Sequence, residues 1–189
     1  HTLLRRSFLA PATIDSFLAL RRAQGGLQAL GTQAGLPIVD EEWWDTGVMV
    51  RGGYTTVEYT LGVTNGTLSN PRGIENNGGK QVLGRLSAHV GPSLTLGTSY
   101  AFGPYLDRVV AGSLPVGKGL EDFHQYVLAS DAEFQLGHVE ASVEVMHSEW
   151  DVTTRDLESV SVTGGYAQLR FVLSPGFFVA GRAEAMRFS

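Results

Sequence analysis

Five histidines carry the most versatile side chains in this chain: His1, His89, His124, His138 and His147. An imidazole ligates metals or accepts a proton from a hydroxyl, so its company decides its chemistry. No two of them stand at metal-ligand spacing, and neither an HExxH helix nor a Gly-x-Ser-x-Gly nucleophile turn occurs. The absence of Cys removes thiolate metal sites, disulfides and Cys catalysis. A sheet can still bring Ser87 and His89 beside Asp131 as an embedded hydrolase. The competing reading, three polar residues on a water-facing wall, is the stronger one. Gly117-Lys118-Gly119 is a lone glycine pair in a loop rather than a phosphate cradle. Asn65-Gly66-Thr67 has the pattern of a glycosylation acceptor but reads as a strand-ending turn. No catalytic site, metal or cofactor is expected.

The arginines say more. They make up 12 of the 14 basic residues, and only Lys80 and Lys118 are lysines. Four lie early, as Arg5-Arg6 and Arg21-Arg22, while Arg51, Arg85, Arg170 and Arg182 fall among alternating residues. The acidic residues Glu58, Asp131, Glu133, Glu140, Glu144 and Glu184 fall in the same kind of surroundings. Arginines opposite carboxylates across a water-filled passage set up a transverse field that sorts solutes by charge. The plainer alternative is that each Arg only neutralises a neighbouring carboxylate. Arg21, Arg22 and the ten residues from Arg51 to Glu184 are the candidate pore-lining set. Its six acidic and four basic wall positions leave a net charge of −2.

Such a wall needs long strands with unlike faces, and from Trp43 onward the dominant period is two. Leu94, Leu96, Tyr100 and Phe102 share one face of their segment, and Thr95, Gly97, Ser99 and Ala101 the other. Eight strands are predicted, over 44–51, 54–64, 82–90, 93–102, 123–136, 138–150, 158–173 and 176–188. They are longer than the 5–6 residues usual in soluble sheets. Tight turns are predicted at Gly52-Gly53, Gly91-Pro92, Gly137 and Ser174-Pro175. Long connections, such as 65–81 and 103–122, alternate with them, as in outer-membrane barrels with short turns at one end. The uncharged face collects residues such as Val48, Leu61, Leu86, Leu128, Val143 and Phe171, and the charged face holds the candidate set. Soluble and membrane barrels both alternate, but this much mid-strand charge reads as a water-filled lumen behind a lipid-facing band. Segment 1–42 differs. Pro11 can start a helix, Ile14, Phe17, Leu18 and Arg21 follow at helical spacing, and Gly25-Gly26 end it. It is expected on the external side, as a constriction or a cap, with the barrel strands occupying 43–189.

Composition agrees. Charged residues are 17% of the 189, below the roughly 25% of soluble domains. No run approaches the roughly 18–20 apolar residues of a membrane helix. A net charge of −5 argues against binding nucleic acid through its phosphates. The chain opens mid-stream at His1 and ends strand-like, so it reads as a piece of a longer protein.

Five stretches also resemble, in order, the strand signatures of the phosphate-selective porin family of Gram-negative outer membranes. They are Trp44-Asp45-Thr46-Gly47-Val48, Leu61-Gly62-Val63-Thr64-Asn65-Gly66, Gly84-Arg85-Leu86, Leu96-Gly97-Thr98-Ser99-Tyr100 and Gly165-Tyr166-Ala167-Gln168. Pro11 to Arg22 is similar to the segment preceding those strands. The resemblance implies an all-β, antiparallel up-and-down transmembrane barrel of 16 strands, about half of it present here. It further implies a homotrimer in the bacterial outer membrane, passing small hydrophilic solutes or ions, anions among them. Two departures stand out: Trp44 replaces a usually basic residue, and lysines to line an anion path are nearly absent. An anchoring barrel within a larger complex is the alternative function.

Overall fold

The computed structural model describes residues 44–70, 74–75, 77–152 and 159–189. They form one antiparallel sheet of eight strands in sequence order, each paired with its chain neighbours. The strands are β1 (Gly47–Tyr54), β2 (Val57–Thr64), β3 (Gln81–Val90), β4 (Leu94–Pro104), β5 (His124–Leu136), β6 (Val139–Asp151), β7 (Ser159–Ser174) and β8 (Phe177–Phe188). Two short 3-10 turns, Arg108–Ser113 and Leu120–Asp122, lie in the connection after β4. The sheet is open: β1 and β8 are its edges and do not pair with each other. This is the up-and-down meander the alternation predicts, with all four tight turns at one end.

Paired residues share a face, so the register fixes which side chains look the same way. From β1 to β8 the pairing keeps Val50, Leu61, Gly84, Tyr100, Leu128, His147, Thr163 and Arg187 on one face. The ten charged candidates among the described residues, Arg51 to Glu184, all fall on the other. Val48, Leu61, Leu86, Leu96, Leu128, Val143, Leu169 and Val179 on the apolar face are 42–76% exposed.

The first turn corrects the sequence reading. Gly52-Gly53 is not a turn but part of β1, which turns at Thr55-Thr56, between the paired Tyr54 and Val57. The glycines serve a close approach instead: a Cβ at Gly52 would sit 2.6 Å from the Tyr59 hydroxyl oxygen, and one at Gly53 would sit 2.8 Å from the Val57 carbonyl. Thr55 then takes the left-handed φ of 50° in the turn. Gly91, Gly137 and Gly176 supply that conformation at the other three turns. The last turn is Pro175-Gly176, one residue later than predicted, and follows an irregularity between Val172 and Ser174.

Candidate functional site

The charged face is built in rows running across the strands. One row reads Glu58, Ser87, Gly97, Asp131, Glu144, Tyr166, Glu184. The next row toward the long loops carries Arg51 and Arg85, and the next row toward the turns carries Glu133 and Arg182. Each wall arginine reaches into a neighbouring row or strand for a carboxylate. Arg51 donates to Glu58 at 2.8 Å, and Arg170 to Glu140 at 2.9 Å. Arg85 forms a two-pronged pair with Asp131 at 2.6 and 2.9 Å, and Arg182 donates to Glu184. Two guanidinium groups also lie over rings: Arg182 is 3.7 Å from the Tyr166 centroid and Arg170 is 4.1 Å from that of Phe178.

Arg85 crosses β4 to reach β5, and Gly97 lies under the bridge. A Cβ there would stand 2.6 Å from the Asp131 Oδ2 and would also collide with Arg85. Glu133 makes no ion pair among the described residues, although it lies within the field of Arg85. Arg21, Arg22 and the whole of segment 1–42 lie outside the described residues. The hydrolase constellation is not assembled. Asp131 is held by Arg85, while the His89 ring meets Thr95 at 3.0 Å and Glu58 at 3.9 Å. Among the described residues no three metal-ligating side chains converge.

Toward the long loops the same face changes character. Val127, Ala129, Met146, Trp150, Val160 and Val162 are buried there, with Tyr105, Leu106 and Phe123 of the β4–β5 connection packed against them. The β2–β3 connection also folds onto this end. Its Thr67 and Asn70 exchange backbone hydrogen bonds at 3.1 and 3.0 Å. Gln125 accepts from the Ser69 N–H at 3.0 Å, and the Trp150 indole N–H donates to the Ser69 hydroxyl at 3.4 Å. Leu68 donates its N–H to Gln81 at 3.0 Å. Asn77 ties the two connections together, donating to the Pro104 and Leu106 carbonyls at 2.8 and 3.0 Å. Burial pushes the Tyr105 phenol well above its usual range, aided by the charge of Asp151. Its hydroxyl donates to the Asp151 carbonyl at 2.6 Å. For Glu75, burial opposes the charged form, but Lys80 and the N–H groups of Asn77 and Gly78 outweigh it. They hold its carboxyl below the usual range.

Gln125 also donates to the buried Ser148 hydroxyl at 3.2 Å, and no sequence motif marks Ser69, Gln81, Gln125, Ser148 or Trp150. The available signal was the apolar turn of an otherwise charged face: Met146, Trp150, Val160 and Val162 stand where alternation calls for polar residues. Comparison with family models, with curated proteins and with solved structures finds no match for this chain.

Proposed function

We propose that this sheet forms part of the wall of an outer-membrane β-barrel that passes small hydrophilic solutes or ions by diffusion. One observation carries the reading. A continuous exposed apolar face runs the width of eight strands, back to back with a face bearing ten charged side chains of the candidate set. Soluble proteins rarely leave apolar patches beyond a few hundred Å² in water. Lipid supplies the missing partner for one face, and a water-filled lumen suits the other. The aromatics on the apolar face fall toward its two ends, with Tyr100, Phe102 and Tyr126 near the loops and Phe134, Phe171 and Phe177 near the turns. That is the arrangement of interfacial girdles. In a bilayer the edges of β1 and β8, which no described strand pairs, must be hydrogen-bonded, so the reading requires further strands to close the barrel. The resemblance to phosphate-selective porins adds a 16-stranded homotrimer as the expected assembly.

The loop-end cluster favours one second reading, an anchoring barrel with an obstructed lumen. Planar-bilayer recording of the full-length protein separates the two. Stepwise conductance in KCl supports the channel. Protein that inserts into the bilayer without conducting overturns it and leaves the anchor.

A further inference from the structure

We propose that His89 is a proton-operated switch on the charged face, turning the wall's selectivity toward anions as pH falls. The switch rests on the channel reading and adds regulation to it. Of the histidines in described strands, only His89 faces the charged side. It pairs with Thr95, whose partner on β5 is Glu133, in the row that ends at Arg182. His124 and His147 stand on the apolar face, opposite Pro104 and Leu128. The Glu58 carboxylate is divided between two neighbours. Its Oε2 accepts from Arg51 at 2.8 Å, and its Oε1 faces His89 Nε2 at 3.9 Å. On the other side of the ring, Nδ1 meets the Thr95 hydroxyl at 3.0 Å.

At 3.9 Å the ring and Glu58 are not hydrogen-bonded, but a small swing of either side chain joins them. A neutral imidazole offers one N–H, whereas the protonated ring offers two. The imidazolium can therefore donate to Thr95 and to Glu58 at once. Both His89 and Glu58 are about half exposed, so water in the passage reaches them. The charged groups facing His89 are Arg51 on β1, Glu58 on β2, Arg85 on its own strand and Glu133 on β5. Carboxylates and guanidinium groups ordinarily hold their charge between about pH 5 and 8, where imidazole changes its own. The four arginine–carboxylate pairs cancel, so Glu133 and Glu144 account for the wall's net −2. Protonating His89 adds one positive charge and halves that excess. It does so beside Arg51–Glu58, a pair that was neutral. Arg51 and His89 then share one carboxylate, and the turn end of β1 to β3 becomes a positive patch.

The test is the reversal potential of the full-length protein in planar bilayers under a KCl gradient, at about pH 8 and about pH 5. In wild type the permeability ratio of K⁺ over Cl⁻ should fall about twofold on acidification, the effect of one charge beside the path. His89→Gln should lose most of that fall. His89→Lys, charged at both values, should show at about pH 8 the ratio that wild type reaches at about pH 5. Equal falls in wild type and His89→Gln would overturn the switch, as would a His89→Lys ratio matching wild type at the higher pH. If the protein does not conduct at all, the channel reading fails and the histidine is followed directly. In NMR spectra of histidine-labelled protein in detergent, the imidazole signal that His89→Gln lacks should titrate between about pH 5 and 8. Titration there supports the switch, and a signal that stays constant over that range overturns it.

Discussion

Arg85 can span β4 to meet Asp131 because residue 97 has no side chain, and this makes Gly97 a lever on the wall's charge. Replacing it with Val keeps the net charge but separates the pair and crowds the passage. The expected result for Gly97→Val is lower unit conductance with an unchanged reversal potential in a salt gradient. Asp131→Asn leaves the space alone and frees Arg85, so there the reversal potential should move toward anions. If both variants matched wild type, the charged face would not line the conducting path. A second residue-scale test lies at Thr55, a β-branched residue at φ 50°. Such residues tolerate the left-handed region poorly. Thr55→Gly removes the strain while adding freedom to the unfolded chain, for a net gain of about 0.5–1 kcal/mol. The measurement is the denaturant midpoint in detergent micelles, with unchanged slope.

At the scale of elements, the inward-folded connections depend on Trp150, which is 1% exposed and joins β6 to the β2–β3 connection through Ser69. Trp150→Ala should cost about 3–5 kcal/mol by opening a cavity. It should also expose residues 65–70 to protease while the strands stay protected. Trp150→Phe keeps most of the packing and loses one indole donor, at a cost of about 1 kcal/mol. Glu75 provides a pH test of the same region. Its carboxyl is held below the usual range, so its contribution is full above the unfolded carboxyl's range. That contribution disappears as pH falls through the lowered folded value. Exchange of the Asn77 and Gly78 amides, corrected for intrinsic rate, should therefore accelerate on acidification. Glu75→Gln should show the same acceleration at neutral pH, and wild-type rates in that variant would rule the linkage out.

For the whole molecule the central issue is what covers the apolar face. Val143 and Ser142 are adjacent on β6 and point to opposite sides of the sheet. In lipid, Val143→Arg should cost about 2–4 kcal/mol in a depth-dependent way, while Ser142→Arg, facing the charged side, should be nearly neutral. Folding into vesicles, titrated with urea, measures both. Equal costs would argue that the two faces do not meet different solvents. The open edges belong to the same scale. No described strand pairs with the outer edge of β1 or of β8, and backbone groups left open there can be satisfied by water but not by hydrocarbon.

Much of this molecule was legible in its sequence. Alternation is a local property of the backbone, so Leu94 to Phe102 or Val139 to Val145 already declare their faces, and every charged wall candidate among the described residues falls on the expected side. Glycine was the misleading signal. Gly52-Gly53 reads locally as a turn, yet only the partner strand shows that Tyr59 and the Val57 carbonyl need the space. Pairing decides which arginine meets which carboxylate, because Arg85 and Asp131 are 46 residues apart. Tertiary structure alone brings Ser69 to Trp150 across 81 residues, and so turns one end of the charged face into a buried cluster. The physical reason is the range of the forces involved. Period and turn chemistry act between near neighbours, whereas ion pairs across strands and loops folded onto a wall exist only once register has brought distant segments together.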